Sequence, residues 1–118
     1  MSEKKYKIPA ENIEPLADGY GYCLIPDTVT VSGMPIIYMY RIMPERRQDS
    51  GWRFFAGIEL QEHLENPNYY GIYDVNIAAN YSPKIIEKLD SPPYSAFQMA
   101  PDGKWADVSL TTDWADLN

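Results

Sequence analysis

Hydrophobic positions in this chain fall into short runs broken by proline, glycine and polar residues. After Gly21 come Tyr22-Cys23-Leu24-Ile25 and Thr28-Val29-Thr30-Val31, two runs of strand-forming composition closed by a turn at Ser32-Gly33. The longest apolar stretch is Ile36 to Met43, bounded by Pro35 and Pro44. It is short for a helix, rich in β-branched and aromatic residues and apolar on both faces, which predicts a central strand. A polar loop, Glu45 to Gly51, leads to a second aromatic strand, Trp52 to Gly57, antiparallel to the first. Glu59 to Glu65 predicts a short helix that stops before Asn66-Pro67, because a residue preceding proline disfavours the helical region. Asp74 is placed to cap a helical turn through Val75, Ile77 and Ala78. Ser82-Pro83 is placed to open another helix, Lys84 to Leu89, which Asp90-Ser91-Pro92-Pro93 ends. Tyr94 to Met99 and Lys104 to Val108 predict two late strands around Asp102-Gly103.

These elements predict an α+β fold, a mostly antiparallel sheet with short helices packed on it in a single compact domain. The expected division is an N-terminal lead-in over 1–19, the domain over 20–110 and an acidic C-terminal tail over 111–118. Trp114 and Leu117 leave open whether that tail docks. There are no internal repeats and no interior linker.

Composition narrows the function classes. Hydrophobic residues at 45% and charged residues at 23% are ordinary for a globular domain and exclude wholesale disorder. The ten tyrosines suit half-buried sheets and interfaces equally, since each joins an apolar ring to a hydroxyl. Cys23 is the only cysteine, so no disulfide can form within the chain. The opening residues carry lysines without an apolar stretch behind them and do not read as a signal peptide. The expected location is the cytoplasm. Of the net charge of −7, residues 1–53 contribute nothing and residues 54–118 all of it, with three Lys/Arg against ten Asp/Glu. An acidic half disfavours nucleic acid and anionic membranes and leaves a protein partner or simple solubility. Oligomeric state is not legible.

Little catalytic chemistry assembles. One histidine and one cysteine make a zinc site untenable, and Asp74, Asn76 and Asn80 lack the glycine and closing glutamate of a calcium loop, so they read as capping residues. No glycine-rich phosphate loop is present, and neither a metal nor a cofactor is expected. Cys23 and His63 could pair as nucleophile and base, but Cys23 sits inside an apolar strand pattern and His63 on a polar helix. The simpler expectation is a buried packing residue and a solvated one, and no enzyme. Glu59, Glu62 and Glu65 fall at helical spacing and read as an acidic face. Arg41, Trp52 and Arg53, with Asp74, Asn76 and Asn80 nearby in sequence, suggest a half-buried polar network. It either pins the helical segment to the sheet or lines a pocket for an anion or peptide.

The same segments carry a family likeness. Met39-Tyr40-Arg41, the string Asp49-Ser50-Gly51-Trp52-Arg53-Phe54-Phe55-Ala56-Gly57, the segment Gly71 to Tyr81 and Ser95-Ala96-Phe97 resemble the bacterial immunity protein thirty-three family. The likeness spans roughly residues 20–100. It departs from the family at Val75 to Asn80, where Leu-Asn-Thr-Ile-Ala-Asn is expected, and at Ile58, where an acidic residue is expected. The resemblance implies a protein that neutralises a cognate toxin domain of a polymorphic toxin system by direct binding, without catalytic residues. On that reading Tyr69, Tyr70 and Tyr73 would act as aromatic anchors and Glu59, Glu62 and Glu65 as an acidic rim. Sheet packing is the competing expectation for the tyrosines. The competing function is a small-ligand or regulatory module with a pocket near Arg41 and Arg53.

Overall fold

The structure, a computed structural model, describes residues 4–117. Six strands form one sheet: β1 (Tyr22–Pro26), β2 (Tyr38–Arg41), β3 (Asp49–Phe55), β4 (Tyr70–Asp74), β5 (Ser95–Met99) and β6 (Trp105–Asp107). Four short helices accompany them: α1 (Asp27–Thr30), α2 (Gln61–Leu64), α3 (Val75–Tyr81) and α4 (Trp114–Leu117). The strand order is β4-β1-β3-β2-β5-β6. β1 and β3 run parallel, and the other four neighbouring pairs are antiparallel. This is the α+β domain with a mostly antiparallel sheet that the pattern predicts. β2 lies between β3 and β5, in the interior of the sheet.

β3 organises the rest. Its side chains alternate, so Trp52 and Phe54 are fully buried on one face while Arg53 and Phe55 are half-buried on the other. Its first residues form a bulge that joins a parallel neighbour to an antiparallel one. Gly51 has φ +85°, and a Cβ there would lie 2.2 Å from the Ile42 carbonyl oxygen, so only glycine fits. Ser50 Oγ donates to the Tyr22 carbonyl at 2.6 Å and accepts from the Trp52 amide at 3.1 Å. Asp49 Oδ1 accepts from the Gly51 amide at 2.9 Å. The bulge shows in the register, where Tyr22 faces Asp49 but Leu24 faces Arg53.

The core lies on the Trp52 face. There Val75, Ala78 and Ala79 of α3, with Ile85 and Leu89 of the following turn, pack against Cys23, Ile25, Met39, Trp52, Phe54 and Phe97. The turn Pro83–Lys88 is a 3-10 helix, and Trp52 Nε1–H donates to the Leu89 carbonyl at 3.2 Å. On the opposite face a smaller cluster of Tyr40, Ile42 and Ala96 is met by Val108, Trp114 and Leu117. The C-terminal segment therefore docks, with the Trp114 ring edge-on to Tyr40 and Tyr94.

Two expectations need correction, and one strand was not foreseen. Thr28 to Val31 is not a strand. Pro26 has no N–H to continue the ladder, and from Asp27 the chain turns into α1, where the Val31 and Ser32 amides bond the Asp27 carbonyl. Burial of Thr28, Val29 and Thr30 overrides their β propensity. Ser82 does not cap the next turn through its side chain; its Oγ accepts instead from the buried Ile36 amide at 2.8 Å. The strand β4 was hidden by Gly71. The Tyr73 ring lies so close over Gly71 that a Cβ there would sit 2.3 Å from the ring, so the glycine marks a covered strand position rather than a break.

If the Gly51 bulge fixes β3 between its neighbours, Gly51→Ala should destabilise strongly. The left-handed backbone alone costs about 1–3 kcal/mol for a non-glycine residue, and the clash with Ile42 adds to it. Denaturant titration should show a lower midpoint for Gly51→Ala, and an unchanged midpoint would refute this role.

Candidate functional site

The residues grouped by sequence separate into distinct places. Arg41 points to the core side: its Nε donates to the Ser50 carbonyl at 2.8 Å, its Nη1 to the Ser91 carbonyl at 2.7 Å, and its guanidinium lies 5.9 Å from the Trp52 ring centroid. Arg53 points to the other face and makes a two-pronged pair with Asp49, Nη1–Oδ1 and Nη2–Oδ2 each at 3.1 Å. Burial raises the Asp49 carboxyl, but hydrogen bonds from Arg53 and the Gly51 amide, with the charge of Arg53, outweigh it and hold the carboxyl below its ordinary value. Trp52 has no exposed surface and belongs to the core.

Asp74, Asn76 and Asn80 do not join the arginines. Asp74 caps α3 by accepting from the Asn76 amide at 2.8 Å. Asn76 Oδ1 accepts from the Leu16 and Ala17 amides, each at 2.8 Å, and its Nδ2 donates to the Glu14 carbonyl at 2.8 Å. Asn80, one turn on, accepts from the Glu14 amide and donates to the Glu14 carbonyl, both at 2.9 Å. The two asparagines clamp the segment ahead of β1 onto α3. The single expected network is two networks.

Cys23 and His63 are also separate. Cys23 is buried in the core with Sγ directed at the Tyr73 carbonyl, and burial pushes its thiol well above the ordinary value, which keeps it protonated and unreactive. His63 is half-buried on α2, its ring stacked on Tyr69 at 4.3 Å, rather than freely solvated. Among the described residues no group of three or more His, Cys, Asp or Glu is placed to hold a metal.

The glutamates and tyrosines divide as well. Glu59 lies ahead of α2, not on it, and its carboxylate accepts from the Ala56 amide at 2.8 Å, the Gly57 amide at 2.9 Å and the Thr28 hydroxyl. It closes the turn that follows β3, where Gly57 has φ +82°. Glu62 on α2 and Glu65, which caps its C-terminus, are exposed, so the expected row of three carboxylates is reduced to two. Tyr73 faces the core side, with its hydroxyl bonded to that of Tyr6 at 3.1 Å. Tyr70 faces the opposite side, edge-on to Phe55.

That opposite face, which sequence reading did not single out, carries a row of half-covered aromatic rings and two exposed strand side chains, Tyr22 and Ile72. Tyr38, Tyr40 and Phe55 sit side by side with ring centroids 5.7–6.0 Å apart. With Tyr70, Leu64 and Leu117 they line a groove of about 690 Å³. On the other side of Arg53 lies a second hollow of about 490 Å³ lined by Tyr22, Leu24, Asp49, Arg46 and Ile72. Ile72 is 72% exposed and Tyr22 49%, an unusual cost for β-strand positions unless something covers them. The available signal was the central run itself. A strand apolar on both faces requires cover on both, and the chain supplies full cover for only one.

The Asp49–Arg53 pair gives a pH-dependent prediction. Because the Asp49 carboxyl is lowered on folding, its stabilisation is complete above about pH 4, the ordinary aspartate range, and is lost as the pH falls through the folded value. Asp49→Asn should flatten the acid limb of stability against pH. At neutral pH it should cost about 1.5 kcal/mol, the lower end for hydrogen bonds to a charged group because the pair is partly solvated. Thermal unfolding from pH 7 to pH 2 checks both. Identical acid limbs in variant and wild type would exclude this role for the pair.

Comparison with known proteins adds one match. The family model described as the immunity protein Imm33 domain covers residues 23–109. No curated protein and no solved structure matches the chain. The matched span runs from β1 through β6 and includes the β3 bulge, the asparagine clamp and the aromatic face. With most of its length matched, the chain belongs to the Imm33 immunity protein family.

Proposed function

We propose that this protein neutralises a cognate bacterial toxin domain by binding it directly through the open face of its sheet. The observation that carries the reading is the aromatic and aliphatic strip on that face: Tyr38, Phe55, Tyr70, Leu24 and Ile72 around Arg53. Family membership supports a toxin-neutralising role in general. The strip supports where contact occurs, because tyrosine and arginine among aliphatic neighbours are the side chains that dominate protein interfaces. On this reading the protein acts in the bacterial cytoplasm, where it shields its producer from the toxin of a polymorphic system. No helix among the described residues is long and apolar enough to cross a membrane.

The chemistry of the strip suits binding rather than turnover. The nearest charged pair, Asp49–Arg53, is internally satisfied, and the one thiol is buried and protonated. Arg41 spends donors on two backbone carbonyls, which leaves the ligand-module alternative without its first arginine. Neutralisation then follows from occlusion: a toxin surface held against a rigid sheet is withdrawn from its own target.

The test uses the toxin domain encoded beside the gene. Ile72→Asp places a charge at an exposed strand position and Tyr70→Ala removes a half-buried ring. Each should weaken binding at least tenfold, about 1.4 kcal/mol, while the Ile72→Asp variant keeps its melting temperature. Calorimetry or surface binding reads the affinity. Wild-type affinity in both variants, with Glu11→Lys in the N-terminal segment abolishing binding instead, would move the interface elsewhere.

A further inference from the structure

The groove at the α4 end of the open face has a more specific character than the face as a whole. Its floor is aromatic. Tyr40 and Phe55 are nearly parallel, 13° between planes, and Tyr38 lies beside both. Its banks are acidic. Glu59 stands on the α2 side and Asp116 on the α4 side, and no lysine or arginine is among the residues that line it. The adjoining hollow, which shares Tyr38, Gln98, Asp116 and Leu117, adds Asp113 and again no basic residue. This contrasts with the hollow beyond Arg53, where Arg46 and Arg53 balance Glu45 and Asp49.

Neither Glu59 nor Asp116 is neutralised by an ion pair among the described residues. Glu59 is also fixed: its Oε2 accepts from the Ala56 amide and the Thr28 hydroxyl, and its Oε1 from the Gly57 amide only. A carboxylate offers about four acceptor positions, so one remains on Oε1 of an oxygen held rigidly by the turn. Burial and the charge of Glu59 together push the Tyr70 phenol above its ordinary value, which places that negative charge beside the aromatic wall.

An aromatic floor between carboxylates that carry no ion pair among the described residues is the chemistry that recognises a cationic side chain. Ring faces attract the cation and the carboxylates accept its N–H groups. A planar guanidinium fits better than an ammonium, because it stacks flat on a ring while its edge donors reach a carboxylate. We propose that this groove receives an arginine side chain of the toxin, laid over Tyr38 and Phe55 with its guanidinium between Glu59 and Asp116. The proposal rests on the reading of the open face as the toxin-binding surface and adds the chemistry of one contact within it.

The proposal can be tested without the toxin. N-acetyl-arginine amide is titrated into the full chain and followed by amide chemical shifts, with N-acetyl-lysine amide and N-acetyl-leucine amide as comparisons. The arginine compound should give saturable shifts at Tyr38, Phe55, Gln98 and Asp116, stronger than lysine and absent with leucine. Asp113→Asn with Asp116→Asn, both exposed and outside the core, should reduce those shifts several-fold while Glu87→Gln leaves them unchanged. In the complex, Asp113→Lys with Asp116→Lys should weaken toxin binding at least tenfold and flatten its salt dependence, since the attraction is electrostatic. No shift with the arginine compound, or equal shifts with all three, overturns the proposal. If it fails there while Ile72→Asp still abolishes toxin binding, the open-face reading stands and only the groove's occupant is wrong. If Ile72→Asp, Tyr70→Ala and the pair Asp113→Lys with Asp116→Lys all leave toxin binding unchanged yet the arginine compound binds, the groove is a cation site and the open-face reading falls.

Discussion

Everything in this fold depends on how β3 is seated. It joins the parallel pairing with β1 on one side to the antiparallel pairing with β2 on the other, and the Asp49-Ser50-Gly51 bulge sits where the two meet. Gly51 lets the backbone come against Ile42, Ser50 ties the bulge to β1, and Asp49 closes it from within. Once the bulge is set, strict alternation does the rest. Trp52 and Phe54 go to the core, while Arg53 and Phe55 go to the other side. A one-residue slip would exchange the two faces. The string that carries the family likeness is thus, first, a folding device.

The open face is a consequence of the same alternation. α3 and the turn after it cover one side of the sheet and bury its central residues, with the asparagine clamp adding the N-terminal segment. On the other side α4 and the residues before it cover one end around Tyr40 and Ile42, and α2 reaches only the rim of the groove. What remains is a half-covered strip with an aromatic groove at one end and aliphatic residues at the other. Rigidity comes from the core side, and the proposed recognition from the open side. Such a division suits a binding domain, because a preorganised surface loses little freedom on association.

The sequence made the strands around strong aromatic or β-branched runs legible, since β2, β3, β5 and β6 follow composition and turn residues that act locally. Asp74 was legible as a cap for the same reason. Thr28 to Val31 was not, because its helix is imposed by Pro26 before it and by burial around it. β4 was obscured because the pairing of Gly71 with the ring of Tyr73 is a contact, not a propensity. Glu59, Glu62 and Glu65 share a spacing but not a role, since hydrogen bonds to the Ala56 and Gly57 amides draw the first into a turn. The arginines were legible as half-buried donors, while their partners were not. The open face could have been found only by asking which apolar positions of β2 and β3 lack cover, a question about the whole sheet.

The central claim is that the uncovered face meets the toxin. Hydroxyl-radical footprinting of the free protein and of its complex with the neighbouring toxin domain tests it most directly, because it reads side-chain exposure across the whole surface at once. Complex formation should protect Tyr38, Phe55, Tyr70 and Ile72 and leave Tyr6 and Ile86, exposed on the side of the core layer, as reactive as before. Protection of Tyr6 and Ile86 with undiminished oxidation of Ile72 and Tyr70 would contradict it.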